Sequence, residues 1–283
     1  MDTLSPTATV DCDALGTRAV NEVLRSLEPG DRAAVSAPRG RHNLAVAVAA
    51  PVAIEVQGNA GYFLGGLCGT KGGCGPDITV SGFVGWSVGE NLMGGTIRVR
   101  GSASQSAGAS ARGGRIFIDG DASLRAGISL KGATLIVAGS AGAMTGFMAQ
   151  AGVILIGGDA GHGLGDSLYE AVIYVQGSIA SLGADAVVED MTEEDILAVK
   201  KHVEESGFDH IEPERVTKVV SARQLYHFAT QNHAAYLGPR LPRATRSDRR
   251  TSPASTRWPQ TAITRSAVLV RAANCPPLTT SSS

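Results

Sequence analysis

Residues 135–161 read LIVAGSAGAMTGFMAQAGVILIGGDAG and contain the same short pattern twice. In each half, an apolar run is followed by glycine, then serine or aspartate, then alanine and a second glycine. A glycine cluster after a strand can cradle a phosphate group, because its backbone N–H groups approach the ligand closely. Glycine also serves geometry alone, where the chain turns tightly or two backbone segments touch. The spacing of these glycines along the chain distinguishes the two interpretations.

The two halves belong to a repeat of 19 residues that runs from Ile78 to Gly177. A fixed period of this kind is the sequence signature of a repeat architecture. Two series of glycines follow it, namely Gly82, Gly101, Gly120, Gly139, Gly158 and Gly177, and then Gly89, Gly108, Gly127, Gly146 and Gly165. An earlier copy at residues 54–58 fits with 24 residues to the next one, and the surplus of five lies around Cys68 to Cys74. The repeat therefore has seven copies over residues 52–188.

Each copy has the pattern expected for one coil of a parallel β-solenoid. Apolar, mostly β-branched residues two positions apart, such as Ile97 and Val99, indicate a strand with one face inward. A unit this short, with a single strand, fits neither a propeller blade nor a leucine-rich repeat. Equivalent positions of neighbouring coils would stack about 4.8 Å apart. A phosphate loop occurs once and precedes a helix, so glycines that recur in every coil are predicted to be structural. The predicted fold class is all-β, a parallel β-helix of about seven coils.

The segments on either side of the repeat are expected to cover the open ends of the solenoid. In an N-terminal α/β cap, residues 1–51, the spacing predicts a helix over 17–27 and a strand over 44–48 that leads into the first coil. In a C-terminal flank, residues 189–237, a helix is expected from Thr192. Thr192 can cap that helix, and acidic residues fill its first turn.

Residues 238–283 have a different composition, with eight arginines and one aspartate, which is a net charge of +7. The first 237 residues therefore carry −8, since the whole chain carries −1. An acidic body argues against a nucleic-acid-binding face. The tail has no hydrophobic periodicity, and we predict that it is disordered. A basic segment that attracts nucleic acid and a translated extension after a reading-frame shift are the alternatives.

Other features of the sequence predict a cytoplasmic protein without a membrane span. The chain has no run of roughly 18 or more apolar residues, which a membrane-spanning helix needs. Its first residues lack the basic and apolar regions of a secretory signal. The four cysteines, Cys12, Cys68, Cys74 and Cys275, form no recurring framework, and a reducing compartment is expected.

The glycine pattern Gly82-x2-Gly85-x3-Gly89-x4-Gly94-Gly95 recurs in part from Gly139 and Gly158. It resembles the GXGXG domain, the right-handed β-helix that ends the large subunit of glutamate synthase. Further similar segments are GENLMGG (89–95), GFMAQAG (146–152) and SARQLYHF (221–228). With these segments, the chain is most similar to the stand-alone subunit of N-methylglutamate synthase (methylamine–glutamate N-methyltransferase). The resemblance covers about residues 40–237.

The resemblance implies a non-catalytic, architectural subunit of an oxidoreductase complex in nitrogen metabolism. Its expected partners are a glutaminase-type amidotransferase subunit, which releases ammonia, and a glutamate synthase-like subunit, which contains FMN and an iron–sulfur cluster. The chain itself is then expected to have no catalytic residue and to bind no cofactor, metal, nucleic acid or membrane. The Cys68 to Cys74 insertion and the tail after Leu237 depart from the family pattern.

Two other functions remain as alternatives. A β-solenoid enzyme acting on polysaccharide would line one groove with carboxylates and aromatic residues, but only 5% of this chain is aromatic. A subunit similar to the C subunit of formylmethanofuran dehydrogenase shares the GXGXG domain and matches the quoted segments less well.

Two pairs of residues are candidates for chemistry. Cys68 and Cys74 could bind a metal or form a disulfide, but two thiols do not complete a zinc site, and a flexible loop with free thiols is favoured. His162 and Asp166 could form an acid–base pair, although the varied residues at that corner in other coils favour an ordinary surface position.

One outward column of the repeat is unexpectedly apolar. Alternation along the strand directs this column away from the core, yet four consecutive coils carry large side chains there, namely Phe117, Ile136, Leu155 and Tyr174. An uncovered apolar patch marks an interface. The column is therefore either the surface that contacts a partner subunit or the surface covered by the predicted helix over 192–205.

Overall fold

The computed structural model describes residues 6–223 and contains one sheet of eleven strands. The expectations for residues 224–283, including the basic tail, lie outside this range. The helices are α1 (Thr17–Arg25) and α2 (Glu193–Ser206), with a short 3-10 turn at Pro213–Arg215. The strands are β1 (Ala8–Asp11), β2 (Arg32–Ser36), β3 (Ala53–Val56), β4 (Gly73–Val80), β5 (Gly94–Val99), β6 (Arg115–Ile118), β7 (Lys131–Val137), β8 (Ala151–Ile156), β9 (Val172–Val175), β10 (Ala186–Glu189) and β11 (Thr217–Ser221).

Strands β1 to β9 pair in parallel and in chain order, which confirms the solenoid. The register follows the 19-residue period, because Ile97 pairs with Ile116, Ile116 with Leu135, and Leu135 with Ile154. A second ladder of single bridges connects the small inward residues from Ala60 to Ile179. Each coil is therefore one strand followed by a return path that stacks on its neighbours.

The interior of the solenoid is filled by columns of aliphatic side chains. The strand columns are buried, and a further column on the return path is fully buried as well. Its members are Val48, Cys68, Leu92, Ala111, Leu130, Ala149 and Leu168. Each large aliphatic side chain that is buried contributes roughly 1.5–3 kcal/mol. The repeated columns are consequently the main source of the fold's stability.

The N-terminal cap differs from the sequence-based expectation in one respect. Residues 44–48 form turns of the return path, and Asn43, Ala45 and Ala47 have positive φ values of 52° to 58°. The strand of this coil is β2, which pairs with β3, so the coils begin before residue 52. The alternation at 44–48 suggested a strand because a backbone with alternating left-handed residues also has a period of two.

Helix α1 covers the open end of the first coil. Its Val20 and Leu24 side chains are fully buried against the core. The Asn21 amide donates to the Asn43 carbonyl at 2.6 Å, and its carbonyl oxygen accepts from the Val46 N–H at 3.0 Å. Because no coil lies below these backbone groups, Asn21 supplies the hydrogen bonds that another coil would make.

The C-terminal part closes the other end and covers one wall. Strand β11 pairs antiparallel with both β9 and β10, so the parallel stacking ends at β9. Helix α2 starts with a capping box between Thr192 and Asp195 and ends at Gly207, which has a left-handed conformation. Among residues 6–223, no helix combines the length and apolar composition that a membrane crossing requires.

Candidate functional site

The second glycine series lies where the backbone turns with positive φ. Gly89, Gly108, Gly127, Gly146 and Gly165 have φ values of 67° to 74°. A Cβ at Gly146 would lie 2.6 Å from the Ile173 Cδ1 atom, inside the core. Met144 and Met148, two residues before and after Gly146, also have positive φ, so the turn alternates in handedness. Glycine is thus required at these positions for two reasons. The backbone has a positive φ value, and the neighbouring core side chains leave little room for a Cβ.

The first glycine series lies where consecutive coils touch. A Cβ at Gly101 would lie 3.0 Å from the carbonyl carbon of Gly82, and a Cβ at Gly158 would lie 2.8 Å from that of Gly139. The glycine N–H groups donate directly to one another's carbonyls, as Gly158 does to Gly139 at 2.8 Å. These glycines therefore permit close stacking and have no positive φ value.

The backbone of the Gly-Ser-Ala-Gly segment at 139–142 has no N–H group left for a phosphate. Gly139 donates to Gly120 at 3.1 Å and Ala141 to Asp159 at 2.8 Å. The Ser140 N–H donates to the Asp121 carboxylate at 2.7 Å, and Gly142 donates to Ala122 at 2.9 Å. A phosphate cradle needs several free N–H groups pointing at one ligand, and this segment uses all four within the solenoid.

The polar residue after the first glycine forms a ladder that connects the coils. Asp121 accepts from the N–H of Ser140, Ser140 from that of Asp159 at 3.0 Å, and Asp159 from that of Ser178 at 2.7 Å. Asn59 and Ser102 make the same contact. Phe83 alone among the residues from 59 to 159 in this column has a side chain that cannot accept a hydrogen bond.

Phe83 is one of four exposed aromatic side chains on two successive coils that sequence reasoning missed. We call these four side chains, Tyr62, Phe63, Phe83 and Trp86, the aromatic corner. The exposed fractions are 37% for Tyr62, 40% for Phe63, 55% for Phe83 and 46% for Trp86. The signal in the sequence was composition, because four of the thirteen aromatic residues of the chain lie between positions 62 and 86.

Ring stacking fixes the aromatic corner. The Tyr62 ring stacks on His42, with centroids 4.2 Å apart, and on Trp86 at 5.0 Å. His42 Nδ1 accepts a hydrogen bond from the Tyr62 N–H at 2.8 Å. Gly85 makes room for the stack, because a Cβ there would lie 2.6 Å from the Tyr62 ring. The Tyr62 and Trp86 rings are therefore held in place and remain partly exposed.

The expected partner interface at Phe117, Ile136, Leu155 and Tyr174 is wrong, because the chain covers this column itself. All four side chains are at most 5% exposed. They form a second core with residues of α2 and of the segment after it, namely Val199, Val203, Phe208, Ile211 and Val216. The alternative, in which the helix lies on the column, is the arrangement observed.

Polar contacts hold α2 on this wall at its first turn. The Asp195 carboxylate accepts from the Tyr174 hydroxyl at 2.7 Å and from the Lys218 ammonium group at 3.0 Å. Burial alone would raise the pKa of Asp195, but hydrogen bonds from Thr192, Tyr174 and Lys218 lower it well below its ordinary value. Burial, followed by the contact with Asp195, raises the pKa of Tyr174.

A cation holds α2 at its other end. Arg98 donates to the Ser206 carbonyl at 2.7 Å and lies 5.0 Å from the centre of the Phe208 ring. A cation at the C-terminus of a helix complements the helix dipole, and the ring face adds a cation–π contact. Both ends of the helix are therefore attached to the solenoid wall.

His162 and Asp166 each contact the following coil and do not bond to one another. His162 Nδ1 lies 3.3 Å from the Ser181 hydroxyl. Asp166 accepts from the Ser167 hydroxyl at 2.8 Å and from the Ala184 N–H at 3.1 Å. These contacts give both residues a part in stacking the last coils.

The cysteine segment differs from the expected flexible loop. Cys68 is buried in the core, its thiol donates to the Ala45 carbonyl at 3.0 Å, and burial raises the pKa of this thiol to about 11. Cys74 is half-buried in β4, and Cys12, Cys68 and Cys74 are all free thiols. Within residues 6–223, no three side chains of the metal-binding types come together.

The surplus residues close a short loop. The Thr70 N–H donates to the Cys74 carbonyl at 2.8 Å, so the chain returns to the register of the coils after the insertion.

Comparison with known proteins gives an informative relative. No protein-family model matches the chain. The chain is 46% identical over 230 residues to "Protein GlxC" of Rhizobium meliloti (strain 1021). The matched region covers 80% of this chain and 99% of that protein.

Proposed function

The chain belongs to the GlxC family, and we propose that it is a non-catalytic, architectural subunit of a glutamate synthase-like complex. The more specific proposal is the N-methylglutamate synthase (methylamine–glutamate N-methyltransferase) type. The segments that carry the resemblance, such as residues 89–95 and 146–152, coincide with the left-handed turns of the return path. They therefore belong to the part of the coil that defines this kind of solenoid.

The observation that carries the proposal is that the fold uses every backbone N–H group of the glycine segment at 139–142. The N–H groups of residues 139–142 all donate within the solenoid, to neighbouring carbonyls or to the Asp121 carboxylate. His162, Asp166 and Asp195 likewise hold coils or α2 in place. These groups supply rigidity, which is what a subunit that braces two others requires.

The proposal assigns the chemistry to partner subunits in the cytoplasm. A glutaminase-type amidotransferase subunit would release ammonia, and a glutamate synthase-like subunit with FMN and an iron–sulfur cluster would form the glutamate product. The amine substrate follows from the N-methylglutamate synthase proposal and would be methylamine. No cofactor is assigned to this chain.

Co-expression of the chain with the two proposed subunits from the same host tests this function. We expect a complex of all three chains, glutamine-dependent synthase activity, and FMN bound only when the synthase-like subunit is present. Omitting the chain should lower complex formation and activity together. Full activity without the chain, or turnover by the purified chain alone, would contradict the proposal.

A further inference from the structure

Within residues 6–223, the aromatic corner places several large apolar side chains on the surface of two successive coils. Tyr62, Phe63, Phe83 and Trp86 are each more than a third exposed, and Leu67, beside Phe63 on the return path, is 50% exposed. Soluble proteins rarely keep contiguous apolar patches uncovered unless the patch binds something. Tryptophan and tyrosine are also the residues most enriched in the energetic centres of protein interfaces.

The Phe83 backbone takes part in coil stacking, but its side chain does not continue the hydrogen-bond ladder. At the equivalent position, Ser102 and Asp121 accept a hydrogen bond from the next coil. The Phe83 side chain cannot accept one, and the ladder is interrupted at this coil. A serine would complete the ladder at this position, so the ladder does not explain the phenylalanine.

The stack of His42, Tyr62 and Trp86 is already ordered in the free chain. The Tyr62 ring is held on both faces, at 4.2 Å by His42 and at 5.0 Å by Trp86. Ordered side chains lose little conformational entropy when they bind a partner. Tyr62 and Trp86 are thus ordered before any partner binds.

The column that contains Phe83 continues as an acidic stripe. Asp121 and Asp159 occupy it two and four coils further along, which is about 10 and 19 Å away at the usual strand spacing. Both are exposed, and neither makes an ion pair with another residue of the 6–223 range. Carboxylates that lack an ion pair and lie in the same column as an exposed apolar side chain complement basic side chains beside an apolar pocket.

We propose that the aromatic corner and this acidic stripe form the surface on which a partner protein subunit docks. The partner would offer an apolar pocket to Phe83 and Trp86, with lysine or arginine side chains facing Asp121 and Asp159. The proposal rests on the proposed function, since the subunits of the complex are the candidate partners.

The test replaces the corner with residues that the solenoid itself uses. Ser102 and Gln105 occupy the positions of Phe83 and Trp86 in the next coil, so the double variant F83S/W86Q keeps the pattern of the repeat. The full-length chain would be titrated with each purified subunit, the glutaminase-type and the FMN-binding one. We expect the variant to bind its partner about 30-fold more weakly or worse. Its thermal unfolding temperature should stay close to that of the wild type, because F83S restores the ladder hydrogen bond while W86Q removes the stack on Tyr62.

Two further variants sharpen the result. D121S/D159S, which copies Ser102 and Ser140, should slow association and remove part of its salt dependence. L197S changes a side chain that is 65% exposed on α2, away from the corner, and should leave binding unchanged.

The outcomes separate the two proposals. If the wild type binds a subunit and F83S/W86Q binds it equally well, the docking surface is refuted and the architectural function stands. If the wild type binds neither subunit, both proposals are refuted. If sedimentation shows that wild-type copies self-associate and F83S/W86Q does not, with subunit binding unchanged, the corner joins copies of this chain and the proposal is overturned.

Discussion

Single residues explain why the return path of each coil can stack on the next. Gly146 allows a positive φ value of 74°, and Gly158 allows two backbones to touch. The two series therefore have different physical causes, although they look alike in the sequence. Two polar side chains satisfy backbone groups that the coils leave without a partner. Asp121 accepts a hydrogen bond from the next coil, and Asn21 bonds to backbone groups at the open end of the first coil.

We predict that Gly139→Val destabilises the solenoid without affecting any cofactor. The new Cβ would lie 3.0 Å from the Gly120 carbonyl oxygen, and backbone atoms cannot move aside easily. The free energy of unfolding should fall by about 1–3 kcal/mol. Urea denaturation measures the loss.

Gly72→Ala is the matched control for this substitution, because the nearest atom to its Cβ is the Thr70 hydroxyl oxygen at 3.9 Å. Flavin or nucleotide binding by the wild-type chain that Gly139→Val abolishes would refute the structural role.

We also predict that Asn21→Ala weakens the N-terminal end. The substitution leaves the Asn43 carbonyl and the Val46 N–H without their partner, and unpaired groups of this kind cost about 1–3 kcal/mol each. Hydrogen exchange should accelerate first in α1 and the first coil. Glu22→Ala, at an exposed neighbouring position of the same helix, should have little effect. Equal stability of the two variants would show that the cap works without this amide.

At the scale of the elements, α2 acts as a cover for the solenoid wall. Its Val199 and Val203 lie against the column from Phe117 to Tyr174, and polar contacts hold each end. The apolar column is thus the surface on which α2 packs. Ile136 and Leu155 should therefore be protected from solvent in the isolated chain. Strand β11 has a similar role at the end of the sheet, since it stops parallel stacking.

The attachment of α2 should depend on pH through Asp195. The folded state lowers the pKa of this carboxyl below its unfolded value of about 3.9. The stability it contributes is therefore fully present above about pH 4 and is lost as the pH falls below that value. We predict that D195N is less stable than the wild type at pH 7.

The difference in the free energy of unfolding between D195N and the wild type should stay constant from about pH 7 to 5 and narrow below about pH 4. Chemical denaturation across this range measures it. A difference that is independent of pH down to about pH 2 would contradict the ionised role of Asp195.

At the scale of the whole molecule, the chain is a row of equivalent coils in which each contacts its neighbours. Such a molecule should tolerate the loss of one complete coil, because the ladders re-form in register. We predict that deletion of residues 102–120 leaves a cooperatively folded protein with unchanged β-sheet content by circular dichroism. Its unfolding temperature should be lower, since one coil and its Phe117 contact with the second core are lost. Deletion of residues 102–111, half a coil, should prevent folding; equal behaviour of both would contradict the model of stacked coils.

The sequence by itself determined the solenoid, because a 19-residue period forces equivalent residues to stack. It indicated the period, the inward columns at positions such as Ile97 and Val99, and the structural use of the glycines. It predicted that the segments at both ends cover the solenoid. It left two alternatives for the apolar column, a partner interface or the surface under the helix over 192–205. It misplaced a strand at 44–48, because alternation along the chain does not distinguish a strand from a turn of alternating handedness.

Only the tertiary structure decided which surfaces are covered and which remain exposed. Burial depends on residues far apart in the chain, such as Leu155 and Val203 of α2, which share one core, and no local pattern reports this. The aromatic corner could not be predicted for the same reason. His42, Tyr62 and Trp86 come from three coils, and their rings come together only when the coils are assembled. The column that looked like an interface is an internal core, and the surface that remains open lies at a corner of the coils.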